Sequence, residues 1–222
     1  MVLSQTRIGV FMRNFVLFIL SSTVFVGCGW FFPEGEDPFD IPIDQTIPIS
    51  FTFDTALICP PGEDCTVEAQ PSPGPVNFPA FQLPVDIDIV ALTGDEELRD
   101  GAQRIKRVEI RSVDYDVRDN TMNIPTPELE IYVNQAGAVN KTGGVTVATI
   151  PSVAAGAEES GSSTVAVENR DAADTYFRSL KLALIPYAEP KIETGELFPP
   201  QGKAVFDLEL QVRFTLNPVD AF

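Results

Sequence analysis

An all-β fold, an antiparallel β-sandwich carrying one short helix, with a small barrel as the alternative, is the architecture this sequence predicts. Three observations predict it. Apolar residues recur at every second position in several separate stretches, the period of a strand with one buried face. The chain's 19 prolines punctuate those stretches, and proline breaks helix interiors and central strands alike. Apolar residues at helical spacing occur in one stretch, around residues 171–180.

Residues 1–27 have the layout of a secretory signal. Arg7 and Arg13 make a positive start, no Asp or Glu precedes Glu34, residues 15–20 form a short apolar run, and Ser21, Ser22 and Thr23 lead to a cut site. A retained membrane span needs about 20 apolar residues, and this run is shorter and broken by polar groups. Val24-Phe25-Val26-Gly27-Cys28 resembles the lipobox of bacterial lipoproteins. The resemblance implies cleavage before Cys28, a diacylglyceryl thioether on its sulfur, and Cys28 as the new N-terminus. Gly29, not Asp, follows it, which in a Gram-negative host implies the outer membrane, with the domain facing the periplasm or the outside. Lipid chains stabilise such an anchor by about 0.8 kcal/mol per buried CH₂.

Residues 28–46 show no periodicity. They combine prolines, the acidic run Glu34-Gly35-Glu36-Asp37 and the aromatics Trp30, Phe31 and Phe32, and read as a flexible tether. The aromatics suit either the lipid interface or packing on the domain. A single domain is then expected over 47–218. Ile47, Ile49, Phe51 and Phe53 alternate with polar residues as an inward row, and Pro48 points to an edge strand or to a strand's first residues. Cys59 and Cys65 flank a turn-rich loop. Outside the cytoplasm, with Cys28 lipidated, they read as a local disulfide. The alternative, a metal pair, would have two thiols and no His to complete it. Residues 70–75 are a stiff extended connector.

A second strand is expected over 81–92, with Val85, Ile87 and Ile89 on one side and Asp86 and Asp88 on the other. Residues 94–101 form an exposed loop or one helical turn. The next strand covers 105–118, and its apolar parity changes near Val113, as one extra residue in a β-bulge produces. Met122, Ile124, Leu129, Ile131 and Val133 make a further strand. Pro125 and Pro127 interrupt it and suggest an edge or a bulge. Residues 135–144 read as a hairpin connection, within which Asn140-Lys141-Thr142 fits a glycosylation sequon that is frequent by chance. Strand 145–150 follows, then a small, polar, mobile loop over 154–163 and a short strand over 164–168. Asp171 would cap the one helix, from about 171 to 180, which passes into a strand at 180–185. Residues 186–202 are connective, with short strand character near Ile192 and Leu197. The last strand, 203–216, carries the best core row: Phe206, Leu208, Leu210, Val212, Phe214 and Leu216.

Composition narrows function. With 15 Lys and Arg against 32 Asp and Glu, the formal charge is −17, and a nucleic acid would be repelled. The chain has no His, which removes Ser-His-Asp and Cys-His catalysis and every His-containing zinc site. A non-enzymatic binding or structural lipoprotein is the first reading, with 94–101, 135–144 and 154–163 as contact loops. A subunit of an envelope assembly, such as a pilus, filament or secretion apparatus, is the second, through strand addition at exposed edges. An acid-dependent glycosidase is the third, with Asp86, Asp88, Asp114 and Asp116 as its candidate carboxylates. No cofactor is called for; calcium is compatible with the acid content.

Overall fold

A computed structural model describes residues 40–59 and 64–217. The signal and Cys28 lie outside these residues. In chain order the elements are β1 (Ile41–Asp54), β2 (Gln70–Pro71), β3 (Val76–Asn77), β4 (Phe81–Gln82) and β5 (Val85–Asp88). Helices α1 (Ile89–Thr93) and α2 (Glu96–Asp100) follow, then β6 (Ile105–Arg118), β7 (Leu129–Gln135), β8 (Val145–Ile150) and β9 (Glu159–Ser163). Helix α3 (Arg170–Phe177) leads into β10 (Lys181–Ala188), β11 (Lys191–Ile192), β12 (Leu197–Phe198) and β13 (Lys203–Leu216). Among the described residues no helix is long and apolar enough to cross a membrane.

The first sheet runs β1-β13-β6-β9. The second runs β4-β10-β7-β8, with β5 also on β10. All pairings are antiparallel. The inner faces of the two sheets share one apolar core. Phe51 stacks on Phe206 within the first sheet, ring centroids 5.3 Å apart. Phe53 meets Phe81 of the second sheet edge-on at 4.9 Å, which ties one layer to the other. The expected row on β13 is the centre of this core: Phe206, Leu208, Leu210, Val212, Phe214 and Leu216 are all at most 2 % exposed. Ile47, Ile49, Phe51 and Phe53 are buried beside it. Strand β1 is an edge, as Pro48 indicated.

The parity change in β6 is a bulge. Ser112 faces Gln211 while Ile110 faces Val212, so Arg111 has no partner of its own on β13. Val108 and Ile110 point inward before it, and Val113, Tyr115 and Val117 after it. A second shift leaves Lys106 extra, and a third leaves Val147 extra in β8. Helix α3 buries Ala173 and Phe177 against the core, with Leu180 just beyond its end. Its Asp174 carboxylate accepts from the Val108 amide at 2.8 Å and covers the β6 edge there.

Several boundaries differ from expectation. Residues 41–46, placed in the 28–46 tether, belong to β1, because Ile41 to Thr46 pair residue by residue with Leu216 to Gln211. The strand of 81–92 ends at Asp88, whose side chain caps α1 by accepting from Ala91. Residues 119–128 are not strand, and β7 is interior, between β10 and β8. Pro125 and Pro127 precede it and leave its ladder intact; Thr126 between them bonds Val153 through backbone and hydroxyl. Of the 154–163 loop, 159–163 is β9, an edge strand with no apolar alternation to reveal it. The strand of 164–168 is absent; Val167–Asn169 is a 3₁₀ turn. Asp171 lies in the first turn of α3 but does not cap it. Two five-residue helices, α1 and α2, accompany the expected one. The connective segments hold two small ladders, β11 with β3 and β12 with β2. Near them Cys59 and Cys65 stand at disulfide distance, S–S 2.04 Å.

Candidate functional site

On the outer face of the second sheet, β7 and β10 place Glu130 opposite Tyr187 and Tyr132 opposite Ile185. Period-two alternation sends these side chains away from Ile131, Val133 and Leu184, which fill the core. The β7–β8 connection folds back over this face. It is held by Gly137 N donating to Asp86 Oδ1 at 2.8 Å and Lys141 N donating to Gln82 Oε1 at 3.1 Å. Asn134 braces it from below, its Nδ2 donating to the carbonyls of Asn140 and Thr142.

The fold-back sets Lys141 Nζ 3.3 Å from the Tyr187 ring centroid and 5.2 Å from that of Tyr132. The two rings are nearly perpendicular, 6.2 Å apart. Cation–π attraction holds the ammonium over them. Tyr132 Oη donates to Glu130 at 2.9 Å, Lys141 lies 3.7 Å from the same carboxylate, and Tyr187 Oη donates to Glu189. Partial burial works to lower the Lys141 pKa. The hydrogen bond to Tyr187 and the neighbouring phenols outweigh it, so the net direction is upward and the group stays cationic. The bond to Glu189, then burial, raises the Tyr187 phenol, which stays protonated.

These groups form one wall of an open groove of about 570 Å³. Pro125 to Glu128 and Ser152 make another wall, and Lys191, Glu193 and Glu196 close an end. Lys191 pairs with Glu193 at 2.5 Å, and Glu196 accepts from the Glu193 amide at 2.7 Å. Five glutamates and two lysines thus line a recess with a fixed ammonium at its wall, an arrangement for binding a polar ligand that both donates and accepts hydrogen bonds. One of the three expected contact loops, 135–144, contributes to it through Lys141. Sequence reading missed the groove. Its aromatics lie in separate strands, and in the sequence Lys141 stands out only as the middle of a sequon.

The four candidate aspartates do not come together. Asp86 and Asp88 lie on β5 of the second sheet, Asp114 and Asp116 on β6 of the first. Asp86 pins the 135–144 connection. Asp88 caps α1 and pairs with Lys181 at 3.0 Å; the Ala91 amide and then Lys181 hold its carboxyl below the usual range. Asp116 accepts from Ser160 Oγ at 2.7 Å. Asp116 stands opposite Asp207, and Asp114 opposite Glu209. Like charges directly opposite across a ladder destabilise it. Arg118, which bonds Asp207 and Asp119, offsets part of that cost. Among the described residues no three carboxylates or thiols are grouped so as to hold a metal ion.

No protein-family model matches this chain, and neither does any curated protein. Among solved structures it is similar to the decameric BFDV capsid protein, at 10% identity over 78% of this chain and 99% of that one, TM-score 0.35. It is also similar to the 60-mer BFDV capsid protein, at 9% identity over 81% and 98%, TM-score 0.33. For Desmodium yellow mottle tymovirus the identity is 10% over 92% and 96%, with a TM-score of 0.24.

Proposed function

We propose that this chain is a non-enzymatic lipoprotein of the outer membrane, held by lipid on Cys28, whose β-sandwich serves binding or structure. The observation that carries the reading is the Cys59–Cys65 pair at bonding distance in the domain that follows a lipobox-like stretch. A disulfide persists in the oxidising envelope, where a lipobox would deliver the chain. The groove beside Tyr187 is the contact site of this reading. The aspartates an acid-base mechanism would use are instead spread over two sheets, each with a hydrogen-bond partner of its own.

Membrane fractionation with intact-mass analysis tests the proposal. The native protein partitions with the outer membrane and carries a mass gain of acyl chains at an N-terminal Cys28. Cys28→Ser remains uncleaved or is released from the membrane. A wild-type protein that retains Met1, or one recovered wholly in the soluble fraction, overturns the anchor. A second reading, a subunit of an envelope assembly, is favoured by the two edge strands of the first sheet, β1 and β9, to which a further strand could add.

A further inference from the structure

The outer face of the first sheet is divided by charge along its strands. The outward residues form rows across β1, β13 and β6, and β9 extends some of them. The row Thr46, Gln211 and Ser112 is uncharged, its members joined by Thr46 Oγ1 donating to Gln211 at 2.8 Å. To one side lie Glu209 with Asp114 and then Asp207 with Asp116, flanked by Ser50, Ser160 and Ser162, and one row further Arg118, which bonds Asp207. To the other side lie Arg213, the bulged Arg111, and Arg107 one row further, with Asp44 and Glu109 among them. Arg104, Lys106, Arg107 and Arg111 fall within eight residues of a chain whose net charge is −17.

We infer that this face is a self-association surface, and that its occupant is a second copy of the same chain related by a two-fold axis across the strands at the Gln211 row. That operation sets β13 over β13 and reverses strand direction. It brings Glu209 against Arg213 of the second copy and Asp116 against Arg107 of the second copy; Asp114 faces Glu109 of the second copy, a like-charge contact that the bulged Arg111 beside Glu109 offsets. Each contact occurs twice, as an isologous interface requires. A two-fold along the strands would instead set each row on itself, acidic on acidic. The bulge contributes directly, because the extra residue adds Arg111 to the outward face without turning the core row out.

The area suffices for a weak, specific dimer. Six rows of strand at about 3.4 Å per residue, three to four strands wide at about 4.8 Å, cover on the order of 600 Å² per copy. The total, about 1,200 Å², is at the low end of specific interfaces. The face is polar, so the association is electrostatic and sensitive to salt; the remaining negative charge of each copy is screened beyond about 8 Å at physiological ionic strength.

The test uses the full chain, extracted in detergent, with its mass measured by light scattering during gel filtration. Wild-type protein forms a dimer at about 50 mM salt and moves to monomer near 0.5 M. The double variant R107E/R111E and the double variant D114K/D116K each weaken self-association by about tenfold or more, and an equimolar mixture of the two restores a dimer. Thermal melts of each variant establish that it is folded. Independently, Q211C gives a disulfide-linked dimer on a non-reducing gel, because residue 211 lies on the axis, and V205C, three rows away, does not. A folded wild type that stays monomeric at low salt overturns the proposal, as do folded reversal variants that dimerise unchanged or fail to pair when mixed. None of these outcomes bears on the lipid anchor.

Discussion

Excising one residue from β6 tests whether the bulge organises the sheet. Arg111 is the residue without its own partner on β13, with Val108 and Ile110 inward on one side of it and Val113, Tyr115 and Val117 inward on the other. Removing Arg111 joins Ile110 to Ser112. The alternation across the join is then regular, every apolar residue keeps its side, and Val212 and Gln211 keep their partners. The expected cost is small, within about 1 kcal/mol, since no core group moves. Removing Glu109, two positions earlier, has the opposite consequence. Restoring the ladder then turns Val108, now 6 % exposed, to solvent and Arg107 toward the core. Loss of the valine's burial costs about 1.5–3 kcal/mol, and a misplaced arginine adds to it, so the total is at least about 3 kcal/mol. For a chain of this size that lowers the melting temperature by roughly 6–12 °C, against at most roughly 4 °C for loss of Arg111. Urea unfolding of the two deletion variants, compared with wild type, reads the difference. A deletion of Arg111 that costs as much as the deletion of Glu109 would refute the bulge as the cause of the parity change.

Gly202 has φ +98°, and a Cβ there would clash with the Thr121 carbonyl group, so Gly202→Ala loses about 3 kcal/mol in thermal or denaturant melts. Gly74→Ala, with open space around it, changes little and serves as the control. Reduction of Cys59–Cys65, or its double Ser variant, costs about 2 kcal/mol because the closed loop is short, at a sequence separation of 6; a loss above twice that would mean the bond does more than close the loop. Acid stability follows from Asp207, lowered first by Arg118 and then by Ser50, and Asp44, lowered chiefly by Arg213. A depressed carboxylate contributes stability that is present above its ordinary value of 3.8 and is lost as pH falls below it. Urea midpoints are therefore flat down to that region and then decline, and in Arg118→Gln the contribution of Asp207 is reduced; an unchanged acid profile in that variant would dismiss the pair.

What this sequence determined by itself is the set of strands with one wet and one dry face. In β1 and β13 a polar residue or a proline follows almost every apolar one, and only the pleat of a strand sorts such a pattern, so Ile47, Phe53, Phe206 and Phe214 were legible as core without coordinates. The bulge in β6 was legible for the same reason, since a change of parity has few other causes. The disulfide pair was legible from its spacing across a turn-rich loop and from the export that the signal-like first residues lead one to expect. Strand β9 was not, because Ser160, Gly161 and Ser162 carry no apolar face and become strand only through backbone bonds to β6. The interior position of β7 was hidden too: the prolines beside it report local chain direction, not which neighbours later arrive. Tertiary structure alone decided the groove, because Tyr132, Lys141 and Tyr187 share it only after β10 pairs with β7 and the 135–144 connection folds across them. It alone decided the charge-divided face as well. Periodicity shows which side chains point outward on one strand, whereas the facing of Asp116 with Asp207 and the distance to Arg107 depend on register between strands almost a hundred residues apart.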